Sequence, residues 1–513
     1  MEQPPAVAAS NLFTFAFPFV FFTIFLIRWL IPTTPPTQKC LPPSPPGLPI
    51  IGNLHQLGRL PHRSLQLLSQ RHGPLMLLHL GVRPVLVVSS ADDARDIMKT
   101  HDLIFSNRPR LTVADRLLYQ GKDVASAPYG EHWRNARSIC VLQLLSTNKV
   151  RSFRAEREEE LELLLEEVTR SASLSLPVNL SELFASLSVD VICRVAFGRK
   201  YGGVKFKEML GEFMRLLGGF YMRDFVPWLG WVDRINGSDT KIERVAEEFD
   251  RFLDDVVEEH MSVLKTKEEN GDTSVDDEGG KDFVDVLLEV QSSGTDGSSF
   301  DRDSIKGIIL DMFSGGTDTT YTVLEWAMTE ILRHPRVCRK MQNEAMEIAN
   351  GKPHITESDL DKMHYLKAVI KETLRLHPPI PLLSPRESTE DVKIMEYDIE
   401  AKTMVFINAW AIGRDPAEWD EPEEFRPERF MNSSVDFKGH DFQLLPFGAG
   451  RRGCPGILFA MASNELVLAN IVHKFDWELP AGTSADSINM TESSGLVAHR
   501  KVPLVAVAKP RSF

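Results

Sequence analysis

The sequence has few cysteines, and they show no arrangement that suggests a disulfide framework or a structural metal site. Five cysteines occur in 513 residues, and none forms a Cys-x-x-Cys pair. A disulfide-stabilised secreted fold is therefore disfavoured, and so is a cysteine-based zinc site. The 14 histidines include no His-x-x-x-His pair of the kind found in zinc enzymes. Any bound metal must therefore be held by a different arrangement of ligands.

An excess of positive charge is also missing. Lys and Arg number 58 against 72 Asp and Glu, which gives a net charge of −14. Because phosphate contacts need clustered Lys and Arg, we predict no nucleic-acid partner. The composition is that of a globular protein, with 43% hydrophobic and 25% charged residues. A chain of this length buries a sufficient core without cross-links.

Long apolar runs are absent from the sequence except near its N-terminus. Residues 12–27 are apolar apart from two threonines and a proline, and a Trp-Leu-Ile segment beyond Arg28 extends the run to about 20 residues, enough to span a bilayer. The positive charges, Arg28 and Lys39, follow the run, which predicts that the body of the protein faces the cytosol. A cleaved signal peptide is less favoured, because it expects basic residues before the run. We predict a membrane anchor over residues 1–31.

Prolines crowd the next segment, and helical patterns dominate beyond it. Residues 32–52 contain eight prolines, which disfavour helix and stiffen the chain. This segment fits a plain spacer, and it also fits a hinge that sets how the body leans on the membrane. Residues 74–80 and 84–89 predict a β-hairpin, whereas segments such as 241–265 have helical periodicity. We predict one mainly α domain with a small β part over residues 53–513.

A glycine-rich loop near the C-terminus presents one cysteine just before a predicted helix. Cys454 is followed by Pro455 at a plausible first helical position. A helix N-terminus stabilises a thiolate, so we expect a lowered pKa for Cys454. Glycines let a large flat ligand approach the backbone closely. A single thiolate with no second cysteine or histidine nearby suits an axial ligand to a chelated iron better than a zinc site.

This loop resembles the haem-binding pattern of the cytochromes P450, Phe-x-x-Gly-x-Arg-x-Cys-x-Gly. The pattern is met by Phe447, Gly450, Arg452, Cys454 and Gly456. Five fixed positions at about one in twenty each match somewhere in such a chain with a probability on the order of 10⁻⁴. The resemblance covers essentially the whole chain and is strongest to plant microsomal members of family 71. It implies the cytochrome P450 fold, haem b with Cys454 as the axial iron ligand, and a monooxygenase that uses O2.

Two further motifs match the structural core of that family. Glu372 and Arg375 lie three residues apart on a predicted helix face and can pair, and Pro-Glu-Arg-Phe follows with Arg429. Taken alone, the first is a common surface pair. The resemblance implies that Glu372, Arg375 and Arg429 form a structural network that holds the haem-binding core.

The segment Gly-Gly-Thr-Asp-Thr-Thr lies within an apolar stretch that predicts one helix over residues 304–334. One interpretation is purely structural, because a threonine hydroxyl can bond to the carbonyl four residues earlier. The resemblance implies instead that Gly315 and Gly316 open the helix beside the iron. Asp318 would then relay protons, and Thr319 would donate a hydrogen bond to dioxygen. A buried Asp without a role is costly, which favours the functional interpretation.

The resemblance also implies haem-propionate contacts, and the expected residues are Trp133, Arg137, Arg386 and Arg452. Arginine suits bidentate contacts with carboxylates, although each of these arginines alone could be a solvated surface charge.

Family positions imply a substrate pocket lined mainly by apolar residues. The expected lining is Leu117, Leu118, Phe313, Gly315, Gly316, Ile380, Leu382, Leu383 and Leu496. Such a pocket predicts a small apolar substrate, and the resemblance implies that it is a plant specialised metabolite. Terpenoids, phenylpropanoids or coumarins, aromatic oximes and alkaloids all fit.

The sequence contains no recognisable flavin or nicotinamide domain, so the electrons of NADPH must arrive through a partner. The resemblance implies NADPH–cytochrome P450 reductase, cytochrome b5 as an optional second partner, and a single-pass location in the endoplasmic reticulum membrane. An alternative function is a haem-thiolate dehydratase or isomerase, for example one that acts on an aldoxime. A non-catalytic haem binder is disfavoured, because the oxygen-side and thiolate-side motifs occur together.

Overall fold

The computed structural model of the chain describes Thr23 and residues 39–201, 204–269, 280–293 and 300–511. The predicted anchor, Thr23 apart, lies outside these residues, as does the first part of the proline-rich segment. Within the described part of the chain, no helix combines the length and apolar character needed to cross a membrane. From Lys39 to Gly47 the backbone has no regular secondary structure, as its prolines predict.

Helices make up most of the described chain. In chain order the α-helices are α1 Pro61–His72, α2 Ala91–Arg95, α3 Thr112–Leu117, α4 Glu131–Ile139, α5 Thr147–Ser152, α6 Arg154–Ser173, α7 Leu180–Phe197, α8 Val204–Leu217, α9 Met222–Phe225, α10 Trp231–Ile235, α11 Ser238–Glu269, α12 Phe283–Ser293, α13 Arg302–Gly316, α14 Asp318–Arg333, α15 Pro335–Ala349, α16 His364–Leu376, α17 Ala409–Ile412 and α18 Ile457–Lys474. The helices α2 and α4 continue into π-helical turns, which are Asp96–Thr100 and Cys140–Leu144. Short 3₁₀ turns are Leu54–Gln56, Pro227–Leu229, Leu360–Lys362, Pro427–Phe430, Gly450–Arg452 and Ala485–Ser487.

The strands form small sheets beside the helices. They are β1 Leu75–Leu80, β2 Arg83–Val88, β3 Val178–Asn179, β4 Arg386–Glu387, β5 Val392–Ile394, β6 Tyr397–Ile399, β7 Met404–Ile407, β8 Phe475–Glu478 and β9 Val505–Pro510. The largest sheet has the order β1-β2-β7-β4, in which β2 and β7 are parallel and the other pairs antiparallel. The predicted hairpin is confirmed as β1–β2, which pairs Leu75 with Val88. A three-stranded sheet has the order β3-β9-β8, and β5 pairs with β6.

Two apolar clusters position the cysteine loop. The larger cluster joins α4, α6, α7, α13, α14, α16 and α18 around side chains such as Ile309 and Leu468. A second cluster joins the β1-β2-β7-β4 sheet and α2 to Leu445 and Ala449, on the chain that leads into the cysteine loop. The loop is therefore held between the sheet on one side and the helical core on the other.

The helix predicted over residues 304–334 is broken, which corrects the prediction. Helix α13 ends at Gly316 and α14 begins at Asp318. Between them, Thr317 donates its hydroxyl hydrogen to the carbonyl oxygen of Phe313 at 2.7 Å. The break has a local cause, because two successive glycines have low helix propensity and threonine side chains compete for backbone carbonyls. The predicted end is nearly right, since α14 stops at Arg333 before Pro335 begins α15.

Candidate active site

The Cys454 sulfur lies in the short segment that leads into α18. Its Sγ accepts a hydrogen bond from the backbone N–H of Gly456 at 3.3 Å, and its own N–H donates to the carbonyl of Phe447 at 2.9 Å. The side chain is exposed, yet burial by surrounding protein raises the pKa of the thiol, against smaller lowering contributions from Gly456 and Arg137. The expected lowering of this pKa is therefore wrong, because desolvation outweighs the helix terminus. Coordination to a metal would itself deprotonate the thiol.

Glycine is required at two turns of the cysteine loop. Gly448 and Gly450 have φ angles of 66° and 67°, in the left-handed region that favours glycine. A Cβ at Gly450 would lie 2.4 Å from the carbonyl oxygen of Met98 and 2.5 Å from Oδ1 of Asp102. The loop therefore packs directly against the turn that follows α2.

Three of the residues expected to contact the propionates share one buried region with the loop. Arg452 donates to the carbonyls of Val124 at 3.1 Å and Ala127 at 2.6 Å, and its guanidinium stacks on Trp133 at 4.2 Å. The indole N–H of Trp133 donates to the same Val124 carbonyl at 3.1 Å. Arg386 donates to the carbonyl of Ala449 at 2.7 Å. These cations therefore bind backbone oxygens around the loop.

Two more arginines lie at the cysteine loop. Arg137 contacts it from α4, and Arg108, which the sequence analysis did not predict, completes an arginine cluster with Arg386 and Arg452. Arg137 donates to the carbonyl of Gly453 at 2.6 Å. Arg108 donates to the carbonyls of Ser384 at 2.8 Å and Pro385 at 2.7 Å. The sequence signal for Arg108 is weak, because it lies between Asn and Pro, two positions before Arg110, in a segment without periodicity.

The buried arginines lie close enough to repel one another, and their acidic neighbours include Asp123 and, at 3.4 Å from Arg386, Asp102. Burial, then Arg386, lower the pKa of Arg452 to about 9. Burial, Arg452 and Arg386 lower the pKa of Arg108 well below its ordinary value. Asp123 opposes both effects. A site with an exposed thiol near mutually repelling guanidinium groups fits an iron porphyrin, whose two propionates would add negative charge there.

The other side of the site is formed at the α13–α14 break. Gly315 is exposed although most of α13 is buried, and a Cβ built on it meets nothing within 4 Å. The hydroxyl of Thr319 donates to the carbonyl of Gly315, four residues earlier, at 2.5 Å. This is the hydrogen bond that the purely structural interpretation of the sequence expects. Burial raises the pKa of Asp318 to about 6. The carboxyl group can therefore hold or release a proton near neutral pH.

The two glycines expected to open the helix differ in their surroundings. A Cβ on Gly316 would lie 2.5 Å from Cδ1 of Ile192 in α7, so this glycine serves close helix packing and leaves no space for a ligand. Phe313 is also enclosed, because its ring stacks on Phe197 at 4.8 Å and meets the edge of Phe206 at 5.6 Å. The expectation that Gly316 lines open space is therefore corrected, while Gly315 does border it.

The remaining residues expected in the substrate pocket lie at three places. Leu117 and Leu118, at the end of α3, are almost fully buried. Ile380, Leu382 and Leu383 lie together in the segment that follows α16, and Leu496 lies near the C-terminus. All four are half-buried. The Leu383 side chain lies 3.7 Å from the position of a Cβ on Gly448, which brings it to the cysteine loop.

The predicted Glu–Arg–Arg cluster is present in the structure. Glu372 accepts hydrogen bonds from Arg375 and, at 3.0 Å, from Nε of Arg429. All three side chains are buried or nearly so. The cluster joins α16 to the 3₁₀ turn that carries Arg429.

A buried pair of acids, Asp123 and Asp311, was also missed. The sequence offered one signal for it, which is the charged Asp311 in the middle of the apolar face of α13. Its partner lies 188 positions away in a loop, so no local pattern could have identified the pair.

Comparison with known proteins agrees with this arrangement. The family model described as Cytochrome P450 matches residues 42–506. "Cytochrome P450 736A117" of Prunus mume is 59% identical over 95% of this chain and 94% of that protein, and "Norfluorocurarine oxidase" of Strychnos sp is 52% identical over 95% and 96%. "Cytochrome P450 71A25" of Arabidopsis thaliana is 54% identical over 91% and 93%. A zebra fish cytochrome P450 structure with progesterone superimposes with a TM-score of 0.75 at 25% identity, covering 88% of this chain and 99% of that one.

The mainly helical fold with its small sheets is the cytochrome P450 fold, and the chain belongs to the cytochrome P450 family. Within that family it is a plant monooxygenase that resembles family 71.

Proposed function

We propose that this chain is a membrane-anchored haem-thiolate monooxygenase of plant specialised metabolism. It would insert one atom of O2 into a small apolar metabolite, with electrons from NADPH delivered by cytochrome P450 reductase. The observation that carries the proposal is the exposed Cys454 sulfur, which accepts the Gly456 N–H and lies near a cluster of buried arginines. Similarity to plant members of the family supports the reaction class.

The bound haem would supply oxygen activation, and the chain's own residues would hold it and control protons. Cys454 would ligate the iron, and the Gly456 amide would stabilise the thiolate charge. Arg137, Arg386 and Arg452, with Arg108, would bind the propionates and thereby relieve their mutual repulsion. Phe447, Gly450 and Gly456 would shape the loop against the porphyrin.

The first experiment is the carbon monoxide difference spectrum of reduced membranes that contain the full chain. We expect the strongly red-shifted band of a thiolate-ligated haem, lost in Cys454→Ala. A matched control is Cys338→Ala, because Cys338 is also a free thiol but lies on α15. Folded protein that holds haem without the red-shifted band would refute the thiolate assignment and the monooxygenase proposal with it.

Proton delivery is assigned to Asp318 and Thr319. The Asp318 carboxyl can exchange a proton near pH 6. The Thr319 hydroxyl donates its one hydrogen to the Gly315 carbonyl in this structure, and it would release that bond to donate to dioxygen. We expect Thr319→Ala to consume NADPH at a similar rate while releasing more peroxide and less product. Full coupling in that variant would contradict the assignment. Turnover of a substrate without NADPH would instead indicate the dehydratase or isomerase alternative.

The membrane assignment rests on the sequence of residues 1–31 and on an exposed apolar surface. The exposed side chains include Phe220, Trp228, Trp231 and Ile235. Their segment adjoins the β1–β2 turn, where Val82 donates its N–H to the carbonyl of Phe225 at 2.8 Å. That turn in turn contacts Ile51, at the end of the proposed hinge of residues 32–52. Aromatic side chains favour the membrane interface, which supports a catalytic domain, residues 53–513, that rests on the endoplasmic reticulum membrane from the cytosolic side.

The reductase would dock near the cysteine loop. Arg134 and Arg451 are exposed close to it, and they would attract an acidic partner despite the net charge of −14. We expect Arg134→Glu with Arg451→Glu to weaken reductase binding and slow NADPH-dependent turnover. Unchanged affinity and turnover would refute this docking site. Cytochrome b5 is proposed as a second partner for the same face.

A further inference from the structure

Asp123 and Asp311 form a buried pair between two parts of the chain. Asp123 lies in the loop between α3 and α4, and Asp311 lies in α13, and their relative exposures are 0% and 8%. Each carboxyl group lies close enough to the other to affect its pKa. The loop is pressed closely onto the helix, because a Cβ on Gly307 would lie 3.2 Å from the backbone nitrogen of Asp123.

The other contacts of the pair show which acid carries the proton. Asp123 accepts the backbone N–H of Ser126 at 2.7 Å and its hydroxyl at 2.6 Å, one on each carboxyl oxygen. Asp311 accepts the N–H groups of Val124 at 2.5 Å and Ala125 at 3.1 Å, both on Oδ2. No group of the described residues donates to its buried Oδ1. Two neighbouring carboxylates cannot both be ionised in a buried site, and Oδ1 of Asp311 is the carboxyl oxygen of the pair on which a proton would displace no hydrogen-bond donor.

The charged surroundings distinguish the two acids. Burial raises the pKa of Asp123 as well, but Asp123 also faces the guanidinium groups of Arg108 and Arg452, which favour its ionised form. Asp311 faces Asp123 and the Cys140 thiol, and burial followed by the Asp123 charge raises the pKa of Asp311 well above its ordinary value. Arg137 is the nearest cation on α4 and interacts with Cys140.

The loop whose backbone N–H groups bind Asp311, residues 122–127, also binds the arginine cluster through its carbonyl oxygens. Its Val124 donates an N–H to Asp311 and accepts, at its carbonyl, hydrogen bonds from Trp133 and Arg452. The next carbonyls along the loop bind Arg108 at Ala125 and Arg452 at Ala127. The position of these cations therefore depends on the position of the loop.

We propose that Asp311 and Asp123 share one buried proton, and that this pair positions the loop of residues 122–127, and through it Arg452, for binding the haem propionates. The second half of this proposal rests on the proposed function, whereas the shared proton does not. Asp311 is a positioning residue, since it contacts the loop and not the ligand.

Two substitutions at Asp311 separate the shared proton from simple packing. In Asp311→Asn the amide oxygen can accept the Val124 and Ala125 N–H groups, while the amide N–H can donate to Asp123 as a protonated acid would. Asp311→Leu has a similar size but leaves those groups without partners. We expect Asp311→Asn to retain wild-type haem content in the full-length membrane protein, and Asp311→Leu to lose at least about fivefold, about 1 kcal/mol in binding. Equal haem content in the two variants, whether both keep it or both lose it, would overturn the proposal.

The proton itself can be observed by infrared spectroscopy of the reconstituted full chain with isotope-labelled aspartate. At neutral pH we expect the carbonyl stretch of a protonated carboxylic acid, absent in Asp311→Asn and unchanged in Asp303→Asn, a half-exposed acid on the same helix. Asp318 is a half-buried acid at the start of α14 whose pKa is also raised, so Asp318→Asn identifies its share of the signal. Absence of an Asp311 band would overturn the proposal even if the leucine variant fails to fold. In Cys454→Ala the band should persist, so a failure of the haem-thiolate assignment is distinguishable from a failure of the carboxyl pair.

Discussion

Arg375 binds Glu372 through two parallel hydrogen bonds inside the protein. Nε of Arg375 donates to Oε2 at 2.7 Å, and Nη2 donates to Oε1 at 2.8 Å. Both side chains are fully buried. The remaining guanidinium nitrogen, Nη1, donates to the carbonyls of Gly413 and Pro422, each at 2.6 Å. One carboxylate thus balances two cations, since Arg429 shares it, and it fixes α16 to the segment that precedes the cysteine loop.

Removing the charge of Glu372 should destabilise the protein severely. Glu372→Gln preserves the shape of the side chain but leaves two buried guanidinium groups without a counter-ion, which typically costs about 3–5 kcal/mol. Urea unfolding of the purified protein measures the loss. The matched control is Glu478→Gln, because Glu478 pairs with Lys509 at the surface with both side chains more than half exposed. That change should stay within about 1 kcal/mol, and equal losses in the two variants would contradict the role of the cluster.

Two glycines of the cysteine loop should respond differently to alanine. Gly450→Ala places a Cβ against the Met98 carbonyl and requires a left-handed backbone. The conformation alone costs about 1–2 kcal/mol, and the contact adds to it, so we expect a loss above about 2 kcal/mol or failure to accumulate. Gly456 has a φ of −89°, and its Cβ would meet only the Cys454 sulfur at 3.8 Å.

Gly456→Ala should therefore leave the unfolding free energy nearly unchanged while altering haem content, because its methyl group lies beside the sulfur. Thermal unfolding and the haem spectrum, recorded on the same preparations, separate the two effects. Equal unfolding free energies for Gly450→Ala and Gly456→Ala would show that position 450 does not require glycine for stability.

The sequence predicted the parts of this fold that local patterns determine. Two short strand-like runs with Gly81 between them predicted the β1–β2 hairpin, and the glycine-rich loop with its cysteine was evident from residue spacing alone. The break at Thr317 could not be predicted, because the bonds that the Thr317 and Thr319 hydroxyls make compete with helical hydrogen bonds of similar strength. The Asp123–Asp311 pair was beyond prediction for another reason, since only tertiary packing brings these residues together.

Alanine substitutions at Gly315 and Gly316 of α13 should separate the effect of helix packing from the effect of filling space that a ligand could occupy. Gly315→Ala should fold normally, because its Cβ meets nothing within 4 Å. It should change substrate affinity if that space holds the substrate. Gly316→Ala should cost about 1–3 kcal/mol through overpacking against Cδ1 of Ile192.

Ile192→Val removes that Cδ1 atom, so the double variant Gly316→Ala with Ile192→Val should recover most of the stability that Gly316→Ala loses. A double-mutant cycle in urea measures the coupling between the two sites. Additive losses would mean that the α13–α7 contact is not the source of the cost.

Asp318 should give the protein a measurable pH dependence. Burial raises its pKa from 3.8 to about 6, so the neutral carboxyl is the form that the native state favours. This stability is fully present below about pH 4 and is lost as the pH rises through about 6. Asp318→Asn cannot lose a proton there. The difference in unfolding free energy between the variant and the wild type should therefore grow in favour of the variant between about pH 4 and 6, by at most about 3 kcal/mol at 1.36 kcal/mol per pKa unit.

Urea unfolding at closely spaced pH values tests this expectation, and Thr319→Val is the matched control. That variant removes the neighbouring hydroxyl but keeps the carboxyl group, so its unfolding free energy should follow the wild-type pH dependence. Parallel curves for Asp318→Asn and the wild type would mean that the Asp318 carboxyl titrates at its ordinary pKa in the native protein. A carboxyl of that kind would be ionised throughout the physiological range, and it could not serve as the proton donor proposed at the α13–α14 break.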